Sequence, residues 1–238
     1  MCKLRRCVEI HIDIINIILL NYLEVIMSIS YKLISKFYRL LDKVYFQNND
    51  NNPRFILSKK FQNNCSKLME IAIGTAENSI LLAKQNPNIN IVGIDLSMEM
   101  LKIAQNRIYN ENITNIELKK MDAMNIEFDD QTFDYIVISL LLHEIPENNA
   151  NILLSECLKV LKNNGKLYII EWEEPNNIFQ KILFLIIKFM EPFENKEFKI
   201  FMKKDLKIYF LKNGFQVKSI EYGDYSKVIE LTKSATSI

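Results

Sequence analysis

Between residues 68 and 171 short apolar runs alternate with stretches of helical periodicity, and that alternation leaves few fold classes open. Strands are predicted at 68–73, 90–95, 115–119, 133–139 and 165–171, with helices at 76–86, 98–108 and 147–162, the last closed by the "NNG" of residues 163–165. Parallel strands need crossover connections, usually helices, whereas antiparallel neighbours can be joined by tight turns. Beyond a helix at 203–213 the pattern changes. The segment "QVKSIEYGDYSKVIELTK" has two period-two runs around a Gly-Asp turn, which reads as a hairpin. The expectation is one α/β domain with a mostly parallel seven-stranded sheet, an antiparallel C-terminal hairpin and helices on both faces.

A chain of 238 residues suffices for one such domain with a full core. Ahead of the alternating region, Leu33, Phe37, Leu40, Leu41 and Val44 recur at helical spacing until "QNNDNNP" breaks the pattern, so residues 28–60 are expected to form a helical cap. Residues 1–27 read as an N-terminal extension, and Met27 is an alternative translation start. Glu9 and Asp13 interrupt its apolar stretch, whose uncharged run is about half of the roughly 20 residues that a membrane span needs, and no small-residue cleavage site follows. The domain proper is then 28–238, with an apolar insertion at 177–200. Hydrophobic residues at 49%, charged residues at 25% and a net charge of +1 exclude a disordered chain and give no broad attraction to nucleic acid or anionic membrane. The four cysteines and two histidines fall at no metal-ligand spacing, so no metal site is expected, and reduced thiols in a cytoplasmic protein fit best.

The stretch "LMEIAIGTAENSI", residues 68–80, runs from a strand through small residues into a helix, a common way to hold a nucleotide. Read as GxGxxG it offers Ala72, Gly74 and then Glu77. A carboxylate where phosphates should approach disfavours a dinucleotide, whereas Glu70 and Glu77 would welcome a cationic ligand. The stretch resembles the first motif of class I S-adenosylmethionine (SAM)-dependent methyltransferases, a Rossmann-like family. "NIVGIDLSMEML" resembles the second, "KKMDAMNIEF" the third and "FDYIVISLLLHEIP" the fourth, in the family's order and spacing. Within the family the likeness is nearest to the type 11 branch that contains the ubiquinone and menaquinone biosynthesis methyltransferases. The resemblance implies SAM as cofactor, with Glu70, Ala72 and Gly74 around its methionine part. It implies Asp95 on the ribose hydroxyls with Leu96 beside it, Asp122 and Ala123 at the adenine, and Ser139 beneath the cofactor.

Methyl transfer needs an aligned nucleophile and an excluded solvent rather than a covalent catalyst. His143, after the fourth strand, is the candidate for removing or steering a proton, or else it bonds a nearby backbone group to shape its loop. Tyr38 and Phe184 are candidates to line an acceptor pocket. Residues 177–193 are apolar on more than one side, which suits a substrate wall, a homodimer contact or core, and allows peripheral contact with a membrane but no transmembrane segment. The absence of an Asn/Asp-Pro-Pro-Tyr/Phe platform and of a basic track points to a small, partly apolar acceptor and away from nucleic acid. The competing readings are a SAM-binding regulator without turnover and an NAD-dependent oxidoreductase.

Overall fold

The computed structural model describes residues 50–61, 66–174, 178, 181, 196–223 and 225–235. The chain divides into two units, Met1–Val44 and Tyr45–Ile238, and every described residue belongs to the second. The extension expected at 1–27, most of the cap expected at 28–60, Tyr38 and Phe184 lie outside the described residues. So does most of the insertion at 177–200.

The described elements are α1 (Pro53–Ser58), β1 (Ser66–Ile71), α2 (Glu77–Gln85), β2 (Ile89–Asp95), α3 (Met98–Asn110), β3 (Ile116–Lys120), β4 (Phe133–Ser139), α4 (Glu147–Val160), β5 (Leu161–Trp172), α5 (Lys196–Met202), α6 (Leu206–Lys212), β6 (Phe215–Tyr222) and β7 (Ser226–Lys233). The seven strands form one sheet in the order β3-β2-β1-β4-β5-β7-β6. Neighbours from β3 through β5 pair in parallel, and β7 runs antiparallel to both β5 and β6. Inserting the last strand between β5 and β6 separates this sheet from a simple dinucleotide-binding one.

The central strands are apolar on both sides because both sides are covered. Met69, Ile71, Ile136 and Ile138 pack with Leu153, Leu154 and Cys157 of α4 and Phe210 of α6. On the opposite face Leu68, Val137, Tyr168 and Ile170 meet Ile56 and Leu57 of α1 and Leu82 and Ala83 of α2. At about 1.5–3 kcal/mol for each large side chain fully buried, these two layers dominate the stability of the unit.

Most boundaries shift by one or two residues, and three of the differences have a physical cause. β1 ends at Ile71, so Ala72 and Ile73 belong to the following loop. The "NNG" of residues 163–165 does not end α4 but lies inside β5: Leu161 already pairs with Phe133, and the register then shifts so that Tyr135 faces Lys166. The helix expected at 203–213 is α6 alone, starting at 206, because the Asp205 side chain accepts hydrogen bonds from the Lys207 and Ile208 amides at 3.0 and 3.2 Å and caps it, while α5 precedes it as a separate helix.

Candidate functional site

Ala72, Gly74, Asp95, Leu96, Asp122, Ala123 and Ser139 all lie at or just beyond the carboxyl ends of β1 to β4. In an open parallel sheet, ligands bind at this edge, where successive crossovers leave in opposite directions; here that switch falls between β1, which pairs with β2 on one side and β4 on the other. The loop after β1 is the centre of the group. Ala72, Gly74 and Ala76 all have left-handed backbones, with φ of 54°, 54° and 62°. The operative spacing is therefore every second residue, ending at Ala76, and not the GxGxxG that would make Glu77 its last member.

Alanine in this conformation costs about 1 kcal/mol relative to glycine. Ala76 has a compensation, because its methyl is completely buried among Ile73, Ile80, Leu101 and Ala104. Ala72 is only half-buried. Ile73 fixes the height of the loop: its amide bonds the Ile94 carbonyl at 3.0 Å, and its side chain lies where a Cβ on Gly93 would stand, 2.1 Å from that position. Gly93 was not among the sequence-predicted residues. A lone glycine inside an apolar strand was the available signal for such a close approach.

Polar ties complete the loop. Asp95 accepts from the Gly74 amide through Oδ2 and from the Ser97 amide through Oδ1, both at 2.8 Å. Each carboxylate oxygen retains a further acceptor site. Glu70 is buried and accepts from Asn78 Nδ2 at 2.8 Å and from the Ser79 hydroxyl, so it faces the start of α2 and not the open side of the loop. Burial raises its carboxyl above the ordinary glutamate value, against the opposing pull of Ser79, Asn78 and the Arg54 charge. Glu77 is gripped by both terminal nitrogens of Arg107, one of which also reaches the Thr75 carbonyl at 2.9 Å. The expected repulsion of phosphates by Glu77 therefore fails, since a guanidinium neutralises it.

The loop after β3 is tied to the same place, with the Met121 amide on the Asp95 carbonyl at 3.1 Å. Asp122 is exposed and takes the Met124 amide at 2.9 Å, with half-buried Ala123 between them. Leu96 is 66% exposed, a large apolar side chain without cover beside Asp95. Ser139 stands one residue beyond the Ile71 and Ile138 pair, level with Ala72. These residues fit SAM: a Cβ on Gly74 would meet only the Ala72 carbonyl, 3.9 Å away, so the space in front of it is open; Asp95 brings acceptor oxygens to the Gly74 amide, and Leu96, next in the chain, has an exposed apolar side chain.

His143 is buried, and its Nδ1 lies 2.6 Å from Oε2 of Glu171, a fully buried residue of β5 whose Oε1 accepts from the Leu142 amide at 2.8 Å. The partner at Nδ1 is thus a carboxylate. The ring packs against Phe198 of α5 with the two planes nearly perpendicular and their centres 5.5 Å apart. Glu171 was not among the predicted residues, although an acid within the apolar run "YIIEW" was a visible signal. Among the described residues no cluster able to hold a metal ion is present, and no helix is long and apolar enough to cross a membrane.

Residues 68–165 match a family model described as a methyltransferase domain. The chain is 36% identical over 116 residues to a demethylmenaquinone methyltransferase from Lactobacillus johnsonii, covering 48% of this chain and 47% of that one. It is 29% identical over 172 residues to one from Listeria welshimeri, covering 71% and 69%. The chain spans about half the length of the first curated relatives it matches. A SAM-dependent methyltransferase structure from Aquifex aeolicus superposes with a TM-score of 0.64 over 83% of this chain and 96% of that one, at 19% identity. Fold and matched domain agree: residues 68–165 match a methyltransferase domain, and the sheet around them has the fold of the Aquifex aeolicus structure.

Proposed function

We propose that the protein transfers the methyl group of SAM to a small, partly apolar acceptor by in-line displacement. The observation that carries the reading is the loop after β1, built around an open space at Gly74 and fastened to Asp95 at the neighbouring strand end. When bound, SAM supplies a methyl carbon already activated by its sulfonium. The chain's part is binding and alignment: Asp95 accepts from the ribose hydroxyls, Leu96 covers the adenine with Asp122 and Ala123 at its edge, and Ala72, Gly74 and Ser139 line the methionine part. Glu70 contributes by fastening the loop to α2. His143 is the proton acceptor on the acceptor side, among Leu142 and Phe198.

An apolar acceptor is supported by those neighbours and by the relatives named as demethylmenaquinone methyltransferases. Phe184 and Tyr38 remain candidates for its wall, and a cytoplasmic setting with contact at a membrane surface suits such a substrate. Calorimetry with SAM, S-adenosylhomocysteine and NAD, followed by methylation of a panel of quinols, phenols and lipid head groups, tests the reading. Micromolar binding of the first two ligands, none of NAD, and turnover on a quinol or phenol are expected. Preference for NAD would sink it, and SAM binding without turnover on any member would point to a regulator.

A further inference from the structure

Among the described residues two ion pairs join α2 to α3, and one of them also takes hold of the loop after β1. Lys84, in the last turn of α2, meets Glu111 at the end of α3 at 2.7 Å, and both side chains are well exposed. Glu77, at the start of α2, meets both terminal nitrogens of Arg107, and Nη1 of that guanidinium also donates to the Thr75 carbonyl at 2.9 Å. Both side chains of this second pair are 26% exposed. The Thr75 carbonyl belongs to the same peptide unit as the Ala76 amide, which donates to the Ile73 carbonyl at 2.9 Å. That carbonyl in turn shares its peptide unit with the Gly74 amide, which donates to Asp95 at 2.8 Å. Two peptide units therefore run in line from a carboxylate to a guanidinium, each held at both ends. Hydrogen bonds chained between opposite charges in this way polarise one another in the same sense.

We propose that Arg107 is a positioning residue for the cofactor: it fixes the Thr75–Ala76 peptide, and through it the left-handed course of the loop that Asp95 holds from the other side. This rests on the methyltransferase reading above. Ala76, at φ 62°, is in a state that an alanine leaves when nothing holds it, and the simplest exit is rotation of the peptide before it, which would swing the Thr75 carbonyl away. A carbonyl bound by a guanidinium cannot turn without losing a charge-assisted bond. The two-nitrogen grip on Glu77 keeps the guanidinium from following it. The seat is one stretch of α3, where Leu101, Ala104 and Ile108 pack with Ala76 and Ile80, and Arg107 stands next to Ile108 at its end. Lys84 and Glu111 join the same two helices at the other end of α2, so their pair separates the fastening of helices from the shaping of the loop.

The test combines amide hydrogen exchange at Ala76 in the ligand-free full chain with calorimetric titration of SAM and S-adenosylhomocysteine, for Arg107→Met, Arg107→Lys and Lys84→Met. Arg107→Met should speed exchange at Ala76 and weaken both ligands, each on the order of 10-fold. Arg107→Lys keeps the charge without the fork and should recover part of both losses. Lys84→Met removes an exposed pair and should stay within about twofold of the wild type in both measurements. In an Asp95→Ala background, Arg107→Met should cost less affinity than it does alone, because the line of bonds is already broken at its other end. Equal effects of Arg107→Met and Lys84→Met would make the Glu77 pair a fastener of helices and overturn the proposal. Unchanged exchange at Ala76, or strictly additive losses with Asp95→Ala, would overturn it as well. Failure of the wild-type protein to bind either ligand would be a failure of the cofactor reading instead, and exchange at Ala76 would still read the hold of Arg107 on the loop.

Discussion

The loop after β1 and the loop after β4 stand side by side at the edge of the sheet, and they are held in different ways. The first is an alternation of left-handed residues, Ala72, Gly74 and Ala76, seated on its own buried side chains Ile73 and Ala76 and tied by residues of the adjoining β2 and α3. The second has one left-handed residue, Leu140, and is held from β5 by the Ile170 carbonyl and the Glu171 carboxylate. A loop of the first kind is written largely in consecutive residues. One of the second kind exists only once a strand 29 residues away has been laid beside it.

The largest effect that would sharpen this contrast is expected at Gly74. A β-branched residue at φ 54° is strained and would fill the open space, so Gly74→Val should reduce SAM affinity by more than about 100-fold in calorimetry. Wild-type affinity would mean that the loop is an ordinary turn. Next comes Asp95→Ala, expected to weaken SAM binding by roughly 1.5–3 kcal/mol. The same carboxylate holds the Gly74 and Ser97 amides, so urea melts should also show a loss of about 1–2 kcal/mol. Smallest is a pair of glycine substitutions. Ala72→Gly should stabilise by about 0.5–1 kcal/mol, whereas Ala76→Gly should be near neutral because relief of strain is offset by a buried methyl of about 0.8 kcal/mol. Equal gains at both positions would break the claim that Ile73 and Ala76 seat the loop in the core.

The same contrast explains what could be read from the chain alone. Five parallel strands, the hairpin and the place of Asp95 follow from periodicity and spacing, which are local. The role of Glu77 was misjudged because its partner, Arg107, is a turn of α3 that no spacing rule connects to it. Glu171 was passed over for the same reason: an acid in a buried strand acquires meaning only from the ring opposite it. The "NNG" at 163–165 carries helix-ending chemistry, yet β-pairing of Leu161 with Phe133 prevails over that local preference.

Glu70 carries a consequence for proton linkage. A glutamate whose folded value is raised binds its proton more tightly in the fold than in the unfolded chain, so folding takes up protons in the mildly acidic range. Its stabilising contribution is fully present below the ordinary glutamate value and is lost as pH rises through the raised one. Thermal melts from pH 4 to 7 should therefore show the wild type losing stability relative to Glu70→Gln as pH increases, and parallel curves would mean that the buried carboxyl carries no such linkage. Since Glu70 fastens the first turn of α2, the acid that steadies the loop after β1 also makes the loop's firmness a function of the proton activity around it.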